Sequence, residues 1–313
     1  MVVAANRKGQ ASTKTTSWTR FKKNFSTHKY IYLLMLPGLL TLFIFRYIPM
    51  AGIVVAFQNY RVVDGLFGSE WVGLHWFEML FSNPQFLRIL GNTITITLMR
   101  LVIGFPAPII LALLINEISR NTYKRTVQTI VYLPHFISWV VIGGIMTILL
   151  SPTVGILSVF GVDRNPLLNP ATFRWVVVFS GIWKDAGWGT IVYLAAISTV
   201  NPDLYEAAVV DGANRFKRVI HITLPSISGA IAVMLILNTG TLLTAGFDQL
   251  FVLQSPAVMH VGDVLDTFVY RHGLAQGRFS HAAAAGLFQA VVGLMLVTMS
   301  NYFAKRMGES GIF

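Results

Sequence analysis

Hydrophobic and polar positions alternate along this chain in long blocks rather than at short periods. A helix that crosses a bilayer needs about 20 mostly apolar residues, and six blocks meet or nearly meet that length. The predicted spans are residues 31–57, 93–115, 127–150, 173–199, 227–246 and 282–303. The pattern predicts an all-α polytopic membrane protein of about six transmembrane helices. We expect three divisions of the chain: an N-terminal arm (1–30), a transmembrane domain (31–304) and a C-terminal tail (305–313).

Composition supports this class. Of the 313 residues, 54% are apolar and only 12% are charged, and the mean hydropathy is +0.63. Soluble domains carry about a quarter charged residues. The chain has no cysteine, which excludes a disulfide scaffold and a thiolate metal site.

The net charge of +11 is explained by where the basic residues lie. Residues 1–30 hold seven Lys and Arg and no acidic residue, which is typical of a topology signal or a contact with anionic lipid, not of a nucleic-acid site. The connections on the N-terminal side of the membrane hold fifteen basic residues, against six on the other side. This bias predicts that both termini are cytoplasmic.

Motifs for catalysis are missing from the sequence. It has no phosphate-binding G-x-x-x-x-G-K-[ST] loop, no H-E-x-x-H zinc motif and no G-x-S-x-G elbow. We therefore expect no catalytic, cofactor or metal site in this chain, and a transport function driven either by a separate ATPase or by an ion gradient.

Charged residues inside the predicted spans are candidates for a substrate path, because charge is costly there. Lys184 and Asp185 either form a structural pair at a water-filled interface or line the path. Arg100 is either a structural partner or a binder of an anionic ligand. Its positive charge and that of Lys184 make an acidic sugar one expected substrate.

Aromatic side chains in the fourth block add further candidates. The candidates are Trp183, Trp188 and Tyr193, of which Trp183 and Trp188 lie deeper than the interfacial belt in which aromatic residues concentrate. Aromatic rings stack on the apolar faces of sugars, so these side chains line a saccharide path or pack in the core.

The polar segment 201–226 interrupts the apolar pattern. Asn201 followed by Pro202 predicts a helix start, and two carboxylates in the following turns favour it. Gly212 fits a helix C-terminus with left-handed geometry, and Asn214 can start a second helix. The segment is therefore predicted to be a helix, a glycine corner and a second helix. It serves either as an amphipathic connector on the membrane or as a docking element.

The sequence "EAAVVDGANRFKRVIHITLP" in this segment resembles the signature loop of binding-protein-dependent ABC importer permeases. Each fixed position of that loop is present. These residues are Glu206, Ala207, Ala208, Gly212, Ile222, Leu224 and Pro225. Other stretches, including "YLLMLPGLLTLFIFRYIPM" and "VQTIVYLPHFISWVV", are similar to the carbohydrate-uptake branch, especially permeases for oligosaccharides or polysaccharides such as alginate.

This resemblance implies a type I importer permease fold in the bacterial cytoplasmic (inner) membrane. It implies a second homologous permease that shares the translocation path, an extracytoplasmic solute-binding protein that delivers a carbohydrate, and two ATPase subunits that bind ATP and Mg. The chain lacks the extra N-terminal spans and large external domain of the maltose-type partner. The alternative is an ion-coupled secondary transporter or channel. The residues implied to couple to the ATPase are Glu206, Ala207, Ala208, Asp211, Gly212, Leu224 and Pro225.

Overall fold

The computed structural model describes residues 28–306, which belong to two compact units divided between Val54 and Val55. Most of the predicted arm and tail, residues 1–27 and 307–313, lie outside the described residues. The first unit is a helical run that includes α1 (Lys29–Leu42), a π-helical turn (Phe43–Tyr47) and α2 (Ile48–Met50). A 3-10 helix, Ala51–Phe57, continues it into the second unit.

The second unit is helical apart from one two-stranded antiparallel ribbon, β1 (Gln58–Asn59) and β2 (Glu70–Trp71). Its helices are α3 (Gly65–Gly68), α4 (His75–Ser82), α5 (Pro84–Met99), α6 (Pro106–Asn116), α7 (Asn121–Tyr132), α8 (Trp139–Leu149), α9 (Ile156–Val159), α10 (Pro170–Ser198), α11 (Pro202–Val210), α12 (Arg215–Arg218), α13 (Leu224–Ser226), α14 (Ser228–Gly240), α15 (Phe247–Leu253), α16 (Met259–Gly262), α17 (Leu265–Val269) and α18 (Phe279–Arg306). Three π-helical turns and one 3-10 turn join some of them, namely Arg100–Gly104, Val219–Thr223, Tyr270–Ala275 and Leu133–Phe136.

Five of the six predicted spans have counterparts that are apolar enough to cross a membrane. Within residues 28–306, three helical runs meet this criterion unbroken: Lys29–Phe57, Pro84–Asn116 and Phe279–Arg306. The predicted spans 127–150 and 227–246 instead correspond to helix pairs bent by 98° and 63°. Each of these two spans is therefore a broken span or a re-entrant loop, not one unbroken helix.

The fourth predicted span is a single 29-residue helix, α10. It is long enough to cross a bilayer. Its Lys184–Asp185 pair lowers its hydropathy, and it is not among the helices that meet the apolar criterion.

The core of the second unit forms three clusters, two of which include buried side chains of α10. Phe173 and Val177 pack with Leu250, whereas Tyr193 packs with Ile227. The third cluster lies around α5, α17 and α18. Helix α10 is therefore the central element, and it carries five of the six residues predicted for the substrate path.

Candidate functional site

A break interrupts the third predicted span. Helix α7 ends at Tyr132, the 3-10 turn Leu133–Phe136 follows, and α8 begins after Ser138. Proline at position 134 suits the start of a short turn, and the Ser138 hydroxyl accepts a hydrogen bond from the Val141 N–H at 3.4 Å. The break interrupts the regular helical pairing of the backbone carbonyls at Pro134, His135 and Ile137; of these, the Pro134 carbonyl accepts from the Ile137 N–H at 3.2 Å.

Lys184 satisfies these carbonyls. Its Nζ atom donates to the His135 carbonyl at 2.5 Å and to the Ile137 carbonyl at 2.8 Å, with a longer contact of 3.4 Å to Pro134. The side chain is buried. An ammonium has three donors, and all three face protein acceptors. Lys184 is therefore not paired with Asp185, contrary to one of the two expectations.

Asp185 contacts the same break through the side chain of His135. Its carboxylate lies 2.9 Å from Nδ1 of His135, and the His135 ring stacks on Trp188 with 4.6 Å between centroids. Trp188 and Trp183 remain 46% and 56% exposed. Neither indole packs in the core of this chain, so the core interpretation was wrong for both.

A cavity of about 400 Å³ lies against α10 and beside the break, where Trp139 begins α8. Three of the six predicted path residues, Arg100, Asp185 and Tyr193, line its wall. Lys184 lines an adjacent cavity, also of about 400 Å³. Other polar or aromatic residues at the first cavity are Phe105, Trp139, Asn238, Phe247, Asp248 and Gln249. Trp183 and Trp188 do not line either cavity.

Arg100 is held by protein atoms. Its Nη1 donates to the Ala245 carbonyl at 2.5 Å, and its Nη2 donates to Oε1 of Gln249. Gln249 is buried and donates in turn to the Val177 carbonyl at 2.7 Å and to the Ser180 hydroxyl at 2.8 Å. This geometry favours the structural interpretation of Arg100, as a link between the second span and α15.

A second polar network ties the connection 247–278 to the spans. Asn92 of α5 donates to the Asp263 carbonyl at 3.0 Å and accepts from Arg174 at 2.8 Å. Arg174 also donates to the Val261 carbonyl at 3.1 Å. The Asp263 carboxylate forms an ion pair with Arg271 at 2.5 Å. These bonds fix the connection on the helices.

His272 lies in the π-helical turn of this connection. Its ring is 4.2 Å from that of Phe268 and 5.3 Å from that of His281. Burial, together with the positive potential of His281, Arg271 and Arg278, lowers the pKa of His272 to about 4. The imidazole is therefore neutral at physiological pH.

The segment 201–226 has the local structure predicted from its sequence. The Asn201 side chain accepts from the Asp203 N–H at 3.0 Å and caps α11. Gly212 adopts a left-handed φ of 75°. The Gly212 N–H donates to the Val209 carbonyl, and the next N–H donates to the Ala208 carbonyl at 2.8 Å. This is the Schellman pattern that ends a helix at glycine.

The second half of the segment restarts the helix. The Asn214 side chain accepts from the Lys217 N–H at 2.9 Å and caps α12. A π-helical turn then leads into α13, where Pro225 follows Leu224 near the helix start. Prolines are tolerated at such positions because no helical N–H is lost there.

Helix α11 is largely exposed in this chain. Glu206, Ala207 and Asp211 are exposed, Leu204 is 49% exposed, and Val210 at its end is 88% exposed. An exposed, capped helix that carries apolar side chains is suited to a protein contact.

Comparison with known proteins identifies the kind of molecule that carries this loop. Residues 104–309 match the family of the binding-protein-dependent transport system inner membrane component. The chain belongs to this family. This permease is 46% identical over 290 residues to the polygalacturonan/rhamnogalacturonan transport system permease protein YteP of Bacillus subtilis (strain 168), covering 91% of this chain and 90% of YteP. It is 43% identical over 305 residues to protein LplB of the same organism, covering 96% of this chain and 95% of LplB.

Solved structures agree with the permease fold. A crystal structure of a bacterial ABC transporter involved in the import of the acidic polysaccharide alginate is similar with a TM-score of 0.84 and 42% identity, covering 92% of this permease and 99% of that chain. The structure of the bacterial alginate ABC transporter in complex with alginate pentasaccharide-bound periplasmic protein is similar with a TM-score of 0.86 and 42% identity. The similarity covers 94% of this permease and 100% of that chain. The predicted all-α permease fold is confirmed, and the chain is a non-catalytic membrane subunit of an ABC importer.

Sequence reasoning missed several residues that shape the permease. Gln249 and Asn92 carried no local signal, because their partners are distant in the chain. His135 did have one, since Pro134 and Ser138 are a turn residue and a helix cap within a few positions. That spacing indicates a break in an apolar block.

Proposed function

We propose that this permease forms half of the translocation path of an ATP-driven importer for acidic oligosaccharides or polysaccharides. The chain is a carbohydrate importer permease, and it works with a second permease, two ATPase subunits and a solute-binding protein. The observation that carries the coupling proposal is α11, a capped and exposed helix held at its end by the left-handed Gly212.

The coupling role is assigned to the signature residues of the segment. Glu206, Ala207 and Asp211 lie on the exposed part of the loop. Gly212 gives the bend, and Leu224 and Pro225 connect the loop to the fifth span. A groove on an ATPase subunit that accepts an amphipathic helix is the partner expected for this surface.

Orientation follows from the same assignment. If α11 binds the ATPases, the segment 201–226 and the basic connections lie on the cytoplasmic side. The excess of Lys and Arg on that side supports cytoplasmic termini. The divisions 1–30, 31–304 and 305–313 are retained as the proposed domain organisation.

The substrate path is proposed at the cavity beside the break. Asp185, Tyr193 and Trp139 offer hydrogen-bond acceptors and ring faces to a sugar. Trp183 and Trp188 lie outside this cavity, but a path between two permeases would include surfaces exposed in one chain. Their role in the path stays a prediction.

The acidic class of the sugar is supported by the similar proteins, which transport polygalacturonan, rhamnogalacturonan or alginate. The cations of this chain contribute little to it. Both Nη atoms of Arg100 and the Nζ of Lys184 already donate to protein acceptors. We therefore assign recognition of the carboxylates to the solute-binding protein or the second permease.

The test measures sugar uptake by the complete transporter in proteoliposomes. The variant is Glu206→Lys, and the matched control is Glu78→Lys, because Glu78 is an exposed residue of α4. We expect Glu206→Lys to lose ATP-dependent uptake and to retain less ATPase on purification, because a positive charge replaces a negative one in the docking surface. Normal uptake by Glu206→Lys, or uptake driven by an ion gradient without ATP, would refute the proposal. Competition between a uronate oligosaccharide and a neutral one of equal length tests the substrate class.

A further inference from the structure

Tyr205 differs from the residues beside it on α11. Its side chain is half-buried, whereas Leu204 and Glu206 on either side are exposed. Its hydroxyl lies 3.0 Å from Oγ1 of Thr223, which is buried. Within residues 28–306, this is the one side-chain hydrogen bond that joins α11 to another helix. Tyr205 therefore points toward the protein, opposite to the proposed docking surface.

Thr223 lies just before the bend of the fifth span. It ends the π-helical turn Val219–Thr223, immediately before α13. Its carbonyl accepts from the N–H of Ile227, the residue at which the helix pair bends by 63°. Proline at position 225 lies between them. The Tyr205 hydroxyl thus reaches the segment where the fifth span changes direction.

A second contact of the loop is weaker. Arg215 lies 3.8 Å from Glu117 at the end of the second span, and both side chains are more than a third exposed. Exposed ion pairs at this distance contribute little. The hydrogen bond to the buried Thr223 hydroxyl is therefore the better mechanical link between α11 and the spans.

We propose that Tyr205 is a positioning residue that transmits movement of α11 to the bend of the fifth span through Thr223. This inference rests on the proposed docking role of α11. When the motor displaces α11, the hydrogen bond carries that displacement to the residues around the bend. Without it, α11 still docks, but its movement is no longer fixed to the span.

The experiment is a double-mutant cycle on the reconstituted transporter with Tyr205→Phe, Thr223→Val and the double variant. The quantity measured is sugar imported per ATP hydrolysed. A buried neutral hydrogen bond contributes about 1 kcal/mol, which corresponds to a roughly fivefold change in an equilibrium. We expect each single variant to lower the ratio roughly fivefold, and the double variant to be no worse than either, because all three lose the same bond.

Matched variants separate this role from a general defect. Thr223→Ser keeps the hydroxyl and should restore the ratio. Tyr123→Phe removes a phenol hydroxyl from the exposed side chain of α7 and should change nothing. The amounts of ATPase that co-purify and the thermal unfolding of Tyr205→Phe should match those of the wild type.

Three results would overturn the inference. A normal ratio in Tyr205→Phe would show that the bond is not needed, and additive losses in the double variant would show that the residues act separately. Loss of the ATPase from Tyr205→Phe would place Tyr205 in the docking surface instead. Failure of the docking role itself is recognised separately, because Glu206→Lys would then retain its ATPase.

Discussion

Replacement of Lys184 by Met tests how the break in the third span is stabilised. Methionine is similar in length and apolar, so it removes the donors without opening a large cavity. The carbonyls of His135 and Ile137, now 2.5 Å and 2.8 Å from Nζ, would lose their partner. A span can contain irregular backbone only where neighbouring groups satisfy it.

The magnitude follows from these two short bonds. A hydrogen bond to a charged group contributes about 1.5–3 kcal/mol, so two such bonds give about 3–6 kcal/mol. Removal of the buried ammonium offsets part of this, because desolvation of such a charge costs several kcal/mol. We expect a net loss of about 2 kcal/mol in the free energy of unfolding, the lower end of the range for two unsatisfied carbonyls.

The assay is denaturant-induced unfolding of the purified transporter in detergent, with Lys305→Met as control. Lys305 is exposed in the last turn of α18, and its replacement should leave the unfolding free energy unchanged. Uptake by Lys184→Met should also fall, since Trp139 begins the helix after the break and lines both cavities. An unchanged unfolding free energy for Lys184→Met would refute the proposed stabilisation of the break.

Three further outcomes are expected. Gly187→Ala should prevent stable assembly, measured by yield and thermal unfolding, because its Cβ would lie 1.8 Å from the Val131 carbonyl oxygen; stability like that of wild type would contradict this packing. Gly212→Val should cost about 1–3 kcal/mol of backbone strain at a φ of 75° and should lower ATPase co-purification; unchanged co-purification would count against the corner. The pKa of His272 is about 4 in the folded protein, whereas the ordinary value is 6.5. Between pH 6.5 and 4 the unfolded chain therefore binds more protons than the folded protein, and the free energy of unfolding should decrease as pH falls through this window. Thermal unfolding of His272→Gln should depend less on pH there, and an identical pH profile would refute the burial effect.

Local physics was sufficient to predict the backbone structure of the segment 201–226. Asn201, Gly212 and Asn214 each act on their own backbone, and the structure confirms the helix start, the left-handed corner and the second cap at these residues. Block length was also sufficient for the fold class, because a bilayer imposes it on any spanning helix.

Long-range partners explain what could not be predicted. The acceptors of Lys184 lie 47 to 50 residues away, and the acceptor of Arg100 on Gln249 lies 149 residues away. Adjacent Lys184 and Asp185 project in different directions from a helix, so adjacency in sequence did not make them a pair. Only the packing of α10 on the break reveals that both residues bind to the same short segment, Lys184 through its backbone carbonyls and Asp185 through the His135 ring.

The exposure of α11 also has a consequence for how the protein is made. Val210 is 88% exposed and Val209 is 55% exposed at the end of a helix that leads out of the spans. If α11 binds the ATPase as proposed, a newly synthesised subunit without that partner presents these side chains to chaperones, proteases and other copies of itself. Cellular abundance of the permease should therefore depend on simultaneous synthesis of the ATPase, and heterologous expression of the lone subunit should give low yields of degraded material.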